Sequence, residues 1–282
     1  MRMFSYNMTK TILRAKMIFI FFFFANGVIA QKNIAFLEKI QAYQDSVKLI
    51  MTGEFPDQID TSTFNINNYF RFFDNLSLPT DSKLQYIFCD DKLSGNPILF
   101  VKKDSIKMEN YWKRKFGEYI KQYNLDKNNI NQEFINSMKN EILCRFAATF
   151  NARKFIIPED SEVGYLQFLF FNQFGEQFAL KWHSNYGQKS VIFSKSEMGR
   201  HFNYYSGTDL FSCDLEKFKT LLRINPKPKI KMKKDNCLIT WYEIATHSGI
   251  YKRTYEIKRS TPYSIEKIED IKILKINREF IY

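Results

Sequence analysis

Apolar positions in the first half of the chain recur at spacings of three and four, the periodicity of a helix with one buried face. Phe36, Ile40, Tyr43, Val47 and Ile50 form such a stripe over Asn33–Met51, closed by Gly53 and Pro56. A Tyr69, Phe70, Phe72, Phe73 cluster within Thr61–Leu78 predicts a second, short helix ending at Pro79 and Asp81. Leu84–Cys89 and Pro97–Lys102 flank a loop containing Gly95 and read as a hairpin. Met108, Trp112, Phe116 and Tyr119 or Ile120 mark a helix over Ile106–Tyr123, with Ser105 as its cap. Beyond a polar link, Ile135, Met138, Ile142 and Phe146 mark a third long helix.

The pattern then shifts. Gly164–Lys195 holds three apolar runs, Tyr165–Phe171, Gln177–His183 and Lys189–Ser194, separated by tetrads that each end in Gly. The middle run alternates, with Phe178, Leu180 and Trp182 on one side and Gln177, Lys181 and His183 on the other. The stretch therefore predicts an antiparallel meander at the centre of the core, and Pro158–Glu162 reads as the polar break before it. Ser196–Tyr205 and Asp214–Ile224 read as short helices. Lys229–Lys233, Cys237–Thr246, Ile250–Arg259 and Ile271–Ile276 read as strands, with His247-Ser248-Gly249 as a hairpin turn.

Helices followed by strands without regular alternation define an α+β fold: N-terminal helices packed on an antiparallel β-meander, with a further C-terminal β-rich segment. The order helix, helix, hairpin, helix, meander over roughly residues 33–195 resembles the NTF2-like fold. That resemblance implies a cone-shaped sheet around a cavity. It is one of element order and assigns no residue a role.

The N-terminus adds an address. Residues 1–16 are polar and basic, Met17–Ala25 is wholly apolar, and Val28 and Ala30 supply small residues before Gln31. This is the layout of a secretory signal peptide cut near Ala30. The apolar run is too short for a membrane span, which takes about 20 residues, so the mature chain is expected to have none. The expected division is 1–30 signal peptide, 31–225 α+β domain and 226–282 basic β-rich segment that extends the same sheet or stands alone. The address is secreted or periplasmic. There disulfides are permitted, and Cys89, Cys144, Cys213 and Cys237 allow three pairings. Cys144 lies off the main apolar stripe of its helix, within reach of a bridge.

Charge is unevenly spread. The chain carries +12, and residues 226–282 hold 13 Lys/Arg against 7 Asp/Glu. Lys229, Lys231 and Lys233 alternate with Ile230 and Met232, which on a strand gives one cationic and one apolar face. Such a strand is either an edge guarded against aggregation or a strip for an anionic surface or glycan. Arg253, alternating with Tyr251, Tyr255 and Arg259, joins the candidate binding residues. Aromatic content of 17%, dominated by 29 Phe, points to core packing.

Catalytic signatures are sparse. The sequence has no GxSxG, HExxH, GxGxxG or P-loop, so no nucleotide, metal or cofactor is implied. A catalytic reading would bring His183 or His201 to Cys213 or Ser184, or pair carboxylates among Asp90, Asp91, Glu159, Asp160 and Glu176. The expectation is a secreted or periplasmic binding or interaction protein. The alternatives are an extracytoplasmic hydrolase and a small-molecule carrier with an NTF2-like cavity.

Overall fold

A capping serine decides the centre of the molecule. The computed structural model describes residues 35–44, 65–89, 97–126, 129–178, 189–208, 211–245 and 248–278. Within it Glu162–Phe174 is a helix and not the first strand of a meander. Ser161 Oγ accepts the Gly164 N–H, and Glu162 lies in the first turn. Pro158–Glu162, read as a break, is thus a helix start. Nine of its residues are buried, on all sides of the helix. A continuous apolar run has no period, so helix and strand are indistinguishable within it. Burial of each large side chain contributes roughly 1.5–3 kcal/mol, more than the ~1 kcal/mol span of strand propensity. Of the three runs, the third forms a strand at Lys189–Ile192. Of the middle run, residues 177 and 178 end a 3-10 turn and residues 179–183 lie outside the described residues.

In chain order the elements are α1 (35–44), α2 (Ile66–Phe70), β1 (Leu76–Ser77), β2 (Ser82–Ile87), β3 (Ile98–Lys103), α3 (Met108–Gln122) and α4 (Gln132–Thr149). There follow β4 (Ile157–Pro158), α5 (Glu162–Phe174), β5 (Lys189–Ile192), α6 (Lys195–Ser206), β6 (Phe211–Cys213) and α7 (Leu215–Leu221). The chain closes with β7 (Lys229–Met232), β8 (Asn236–Ala245), β9 (Gly249–Lys258), β10 (Ile265–Leu274) and β11 (Ile276–Arg278). The fold is mixed α+β with antiparallel sheets, as the sequence order predicts. The β2–β3 hairpin, both long helices and the α6 and α7 helices fall where periodicity puts them. One cap differs: α3 starts after Lys107, which makes no side-chain cap, rather than at Ser105.

The meander is β8–β9–β10, at the C-terminal end. The NTF2-like order needs it directly after the third long helix, and α5 holds that place. On its other edge β8 pairs with two strands. β7 runs along Cys237–Thr240, and β5 along Tyr242–Ala245. The C-terminal strands therefore share a sheet with β5. Gly249 opens β9 at φ +127°, and a Cβ there would lie 1.9 Å from the Leu274 carbonyl oxygen, so only glycine fits.

The sheet is buried on one face by α5, where Phe174 meets Trp241 at 5.8 Å between ring centroids and Phe168 meets Tyr263 at 5.7 Å. α1 and α2 cover the far side of α5 through Phe36–Phe170 and Phe70–Phe171. The other face of the sheet is half covered. Ile192, Ile244, Ile250 and Leu274 pack with Met198, Tyr205 and Phe218 of α6 and α7. A third cluster seats α4 on β3 through Phe146 and Phe100. Of the three possible pairings, the Cys89–Cys144 disulfide forms and ties the end of β2 to α4, while Cys213 and Cys237 are free thiols.

Candidate functional site

The cationic strip takes the geometry that alternation predicts. Ile230 and Met232 pack against the main core, while Lys229, Lys231 and Lys233 are exposed. β7 pairs only with β8, so its outer edge is unpaired among the described residues. The turn back to β8 is held by Lys233 N–H donating to the Asn236 carbonyl at 2.8 Å. Arg259 donates from Nη1 to the Lys233 and Lys234 carbonyls and grips Asp160 at the head of α5. The turn is thereby pinned to the core, and the strip is a rigid feature. Among the described residues, none forms an ion pair with Lys229, Lys231 or Lys233.

Register shows what lies beside them. Lys229 stands opposite Thr240, then Thr254 on β9 and Glu269 on β10. Lys231 stands opposite Leu238, then Glu256 and Glu266. Paired residues share a face, so this exposed half of the sheet carries only lysine along β7 and mixed charge beyond it, with Lys252, Glu256 and exposed Lys258 on β9 and Glu266 and Glu269 on β10. Glu269 is engaged by Lys252 at 3.0 Å and Thr254 at 2.8 Å, whose hydrogen bonds hold its carboxyl below the usual range. Sequence reasoning found the lysines and missed the acids, because only register brings residues 229 and 269 onto one row.

Arg253 does not belong with the lysines, a correction to the sequence reading. It lies on the opposite, core-facing side, and its side chain is 12% exposed. Its guanidinium bonds Glu243 through Nη1 and Asp270 Oδ1 through Nε at 2.9 Å. Glu243, 2% exposed, also accepts the Trp241 indole N–H and the Tyr255 hydroxyl, each at 2.7 Å. Burial and the Glu243 charge push the Tyr255 hydroxyl up. Burial would raise Asp270, but hydrogen bonds from Lys267 and Arg253 hold it low. The cluster is fully engaged internally and holds the inner face of the sheet together. A buried arginine needs such partners.

No protein-family model, no curated protein and no solved structure matches the chain.

His183, Ser184, His247, Asp90 and Asp91 lie outside the described residues. His201 Nε2 sits 3.5 Å from Glu197 Oε1, one turn away on α6, and among the described residues hydrogen-bonds to no serine or cysteine. Glu159 accepts from Asn75 at 2.6 Å, and Glu176 pairs with Arg153 at 3.0 Å. Burial pushes the Cys237 thiol up to about 12, and burial with Asp214 raises Cys213. Neither is poised as a thiolate. Cys213 borders an open depression of about 300 Å³ with Asp214 and Lys217. The crevice between α1, α5 and β5 has a volume of about 10 Å³, room for roughly one water. Among the described residues no three His, Cys, Asp or Glu side chains gather to hold a metal. Among them too, no helix is long and apolar enough to cross a membrane.

Proposed function

We propose that the protein is exported and acts by binding an anionic partner through Lys229, Lys231 and Lys233. The observation that supports this most is three exposed ammonium groups in a row along β7 and the residue that follows it, with no acid among the described residues paired to them. Lys227 and Lys234 flank the three and are also exposed, which continues the row past both ends of the strand. Export is supported by the n-region, apolar run and small-residue site of residues 1–30. It is supported also by the Cys89–Cys144 disulfide, a bond that persists in oxidising compartments.

Retention on a sulfated resin tests the binding reading. The protein should be held at low salt and released as salt screens the lysines. Replacing Lys229, Lys231 and Lys233 together by Gln should move elution to clearly lower salt with an unchanged circular dichroism spectrum. Equal elution of the two proteins would remove the strip from the reading. Sequencing the N-terminus of the native product tests export, with Gln31 as the expected first residue.

A further inference from the structure

The lysines of 229–233 form a line along one edge, all of one sign, whereas the strands beyond carry both signs, with Lys258 beside Glu256 on β9, and that contrast selects the shape of the partner. On the same face, Glu256 lies two strands away and Glu266 and Glu269 three. Strand spacing sets these separations at about 10 and 14 Å from β7. The screening length at physiological salt is about 8 Å. A partner confined to the β7 edge therefore feels the lysines and little of the acids. A planar anionic surface laid on the face would meet the lysines of 229–233 together with Lys258 and the acids, of which Glu266 has no ion pair among the described residues to mask it. Along β7 the lysines advance about 6.6–6.8 Å per pair of residues, so a polymer lying parallel to the strand meets one charge after another.

From this geometry we infer that the partner is a linear polyanion of the acidic-glycan class, seated along Lys229, Lys231 and Lys233. The inference rests on the binding reading proposed above. Single-stranded nucleic acid fits less well, because its non-specific binders add aromatic platforms on which bases stack. Here Tyr255 is sealed under Glu243, Tyr242 packs into the α6–α7 cluster, and β7 contains no aromatic residue. A chain of sulfated or carboxylated sugars needs only charge and open flanks.

The test measures binding of the mature full chain at 0.15 M salt to three probes. These are a size-defined heparin oligosaccharide, oligo-dT of matching charge, and vesicles containing anionic phospholipid. The expected order is oligosaccharide first, with a log–log salt slope of about −2 for three neutralised charges. The Lys229→Gln, Lys231→Gln, Lys233→Gln variant should bind the oligosaccharide at least about tenfold more weakly. Neutralising the acids with Glu266→Gln and Glu269→Gln should raise vesicle binding and leave oligosaccharide binding within about twofold. Vesicles bound as tightly as the oligosaccharide by the native chain would overturn the linear partner. Tighter binding of oligo-dT would overturn the glycan class. In both cases loss of binding in the triple-lysine variant keeps the cationic strip. Failure of all three probes to bind would take the underlying reading with it.

Discussion

Arg259 grips Asp160 across 99 residues of sequence, Nε to Oδ1 at 3.0 Å and Nη2 to Oδ2 at 2.8 Å. The same guanidinium holds the carbonyls of the β7–β8 turn, and the Tyr165 hydroxyl donates to Asp160 at 3.0 Å. One arginine thus joins the head of the central helix to the strand that bears the lysine row. Lysine has no fork to reproduce this geometry. Arg259→Lys should therefore lower the thermal midpoint and weaken polyanion binding, although residue 259 stays cationic. A thermal melt paired with oligosaccharide titration reads both. Unchanged binding would mean that the turn holds its shape without the arginine.

Removing the Glu243 carboxylate should be severe. Glu243→Ala leaves Arg253 without its inner partner and the Trp241 and Tyr255 donors without an acceptor, inside a buried site. Breaking one side of such a cluster costs about 3–5 kcal/mol. Chemical denaturation should show that loss. A drop below about 1 kcal/mol would mean that water reaches the cluster and replaces the carboxylate.

Gly164 sits where α5 passes the chain that enters it. A Cβ there would lie 2.2 Å from the Glu159 carbonyl oxygen. Alanine favours helices elsewhere, yet Gly164→Ala should destabilise by about 1–3 kcal/mol through overpacking. A stabilised variant in a urea titration would contradict the close approach.

Severing Cys89–Cys144 frees a loop of sequence separation 55. The chain-entropy estimate for a loop of that size is about 4 kcal/mol. The Cys89→Ser, Cys144→Ser pair should lose about 2–4 kcal/mol. Hydrogen exchange should rise first in α3 and α4, which are held to the rest through β3. Uniform exchange across the chain would show that the bridge acts globally.

Stability should pass through a maximum on the acid side of neutrality. Burial raises the Glu162 and Glu176 carboxyls, so the folded state binds protons before the unfolded chain does, and stability rises as pH falls from 7 toward the ordinary carboxylate range. Below that range the sign reverses. Asp160, held low by Arg259, and Asp270, held low by Lys267 and Arg253 against its burial, lose their contribution as they protonate. Thermal melts from pH 7 to 3 should trace this dome. A monotonic fall from pH 7 would contradict the raised carboxyls.

Amphipathic segments were legible from spacing alone. The stripes of α3 and α4, the β2–β3 hairpin and the alternation of Lys229–Lys233 each record one dry and one wet face, and a face leaves a period. The Tyr165–Phe171 run reads as a strand in the sequence and is a helix in the structure, because α5 is buried all round and leaves no period, whereas the Lys189–Ser194 run holds a strand as its pattern predicts. The only signal of α5 was the short-range pair of Ser161 as cap and Glu162 in the first turn. Arg253 was misassigned for a related reason. Alternation says that Tyr251, Arg253 and Tyr255 share a face, but not which face meets the core.

By itself the sequence determined which amphipathic segments coil or extend and which of the 229–233 side chains point outward, since local sterics and hydrophobic period act within a few residues; it did not determine the state of α5, which has no wet face. Tertiary structure alone decided that Arg253 is sealed by Glu243 and Asp270, that Cys89 meets Cys144, and that the lysines of 229–233 share one sheet face with Glu256, Glu266 and Glu269. Those pairings join residues far apart in the chain. They exist only once strand register and helix packing set distances that no linear pattern encodes.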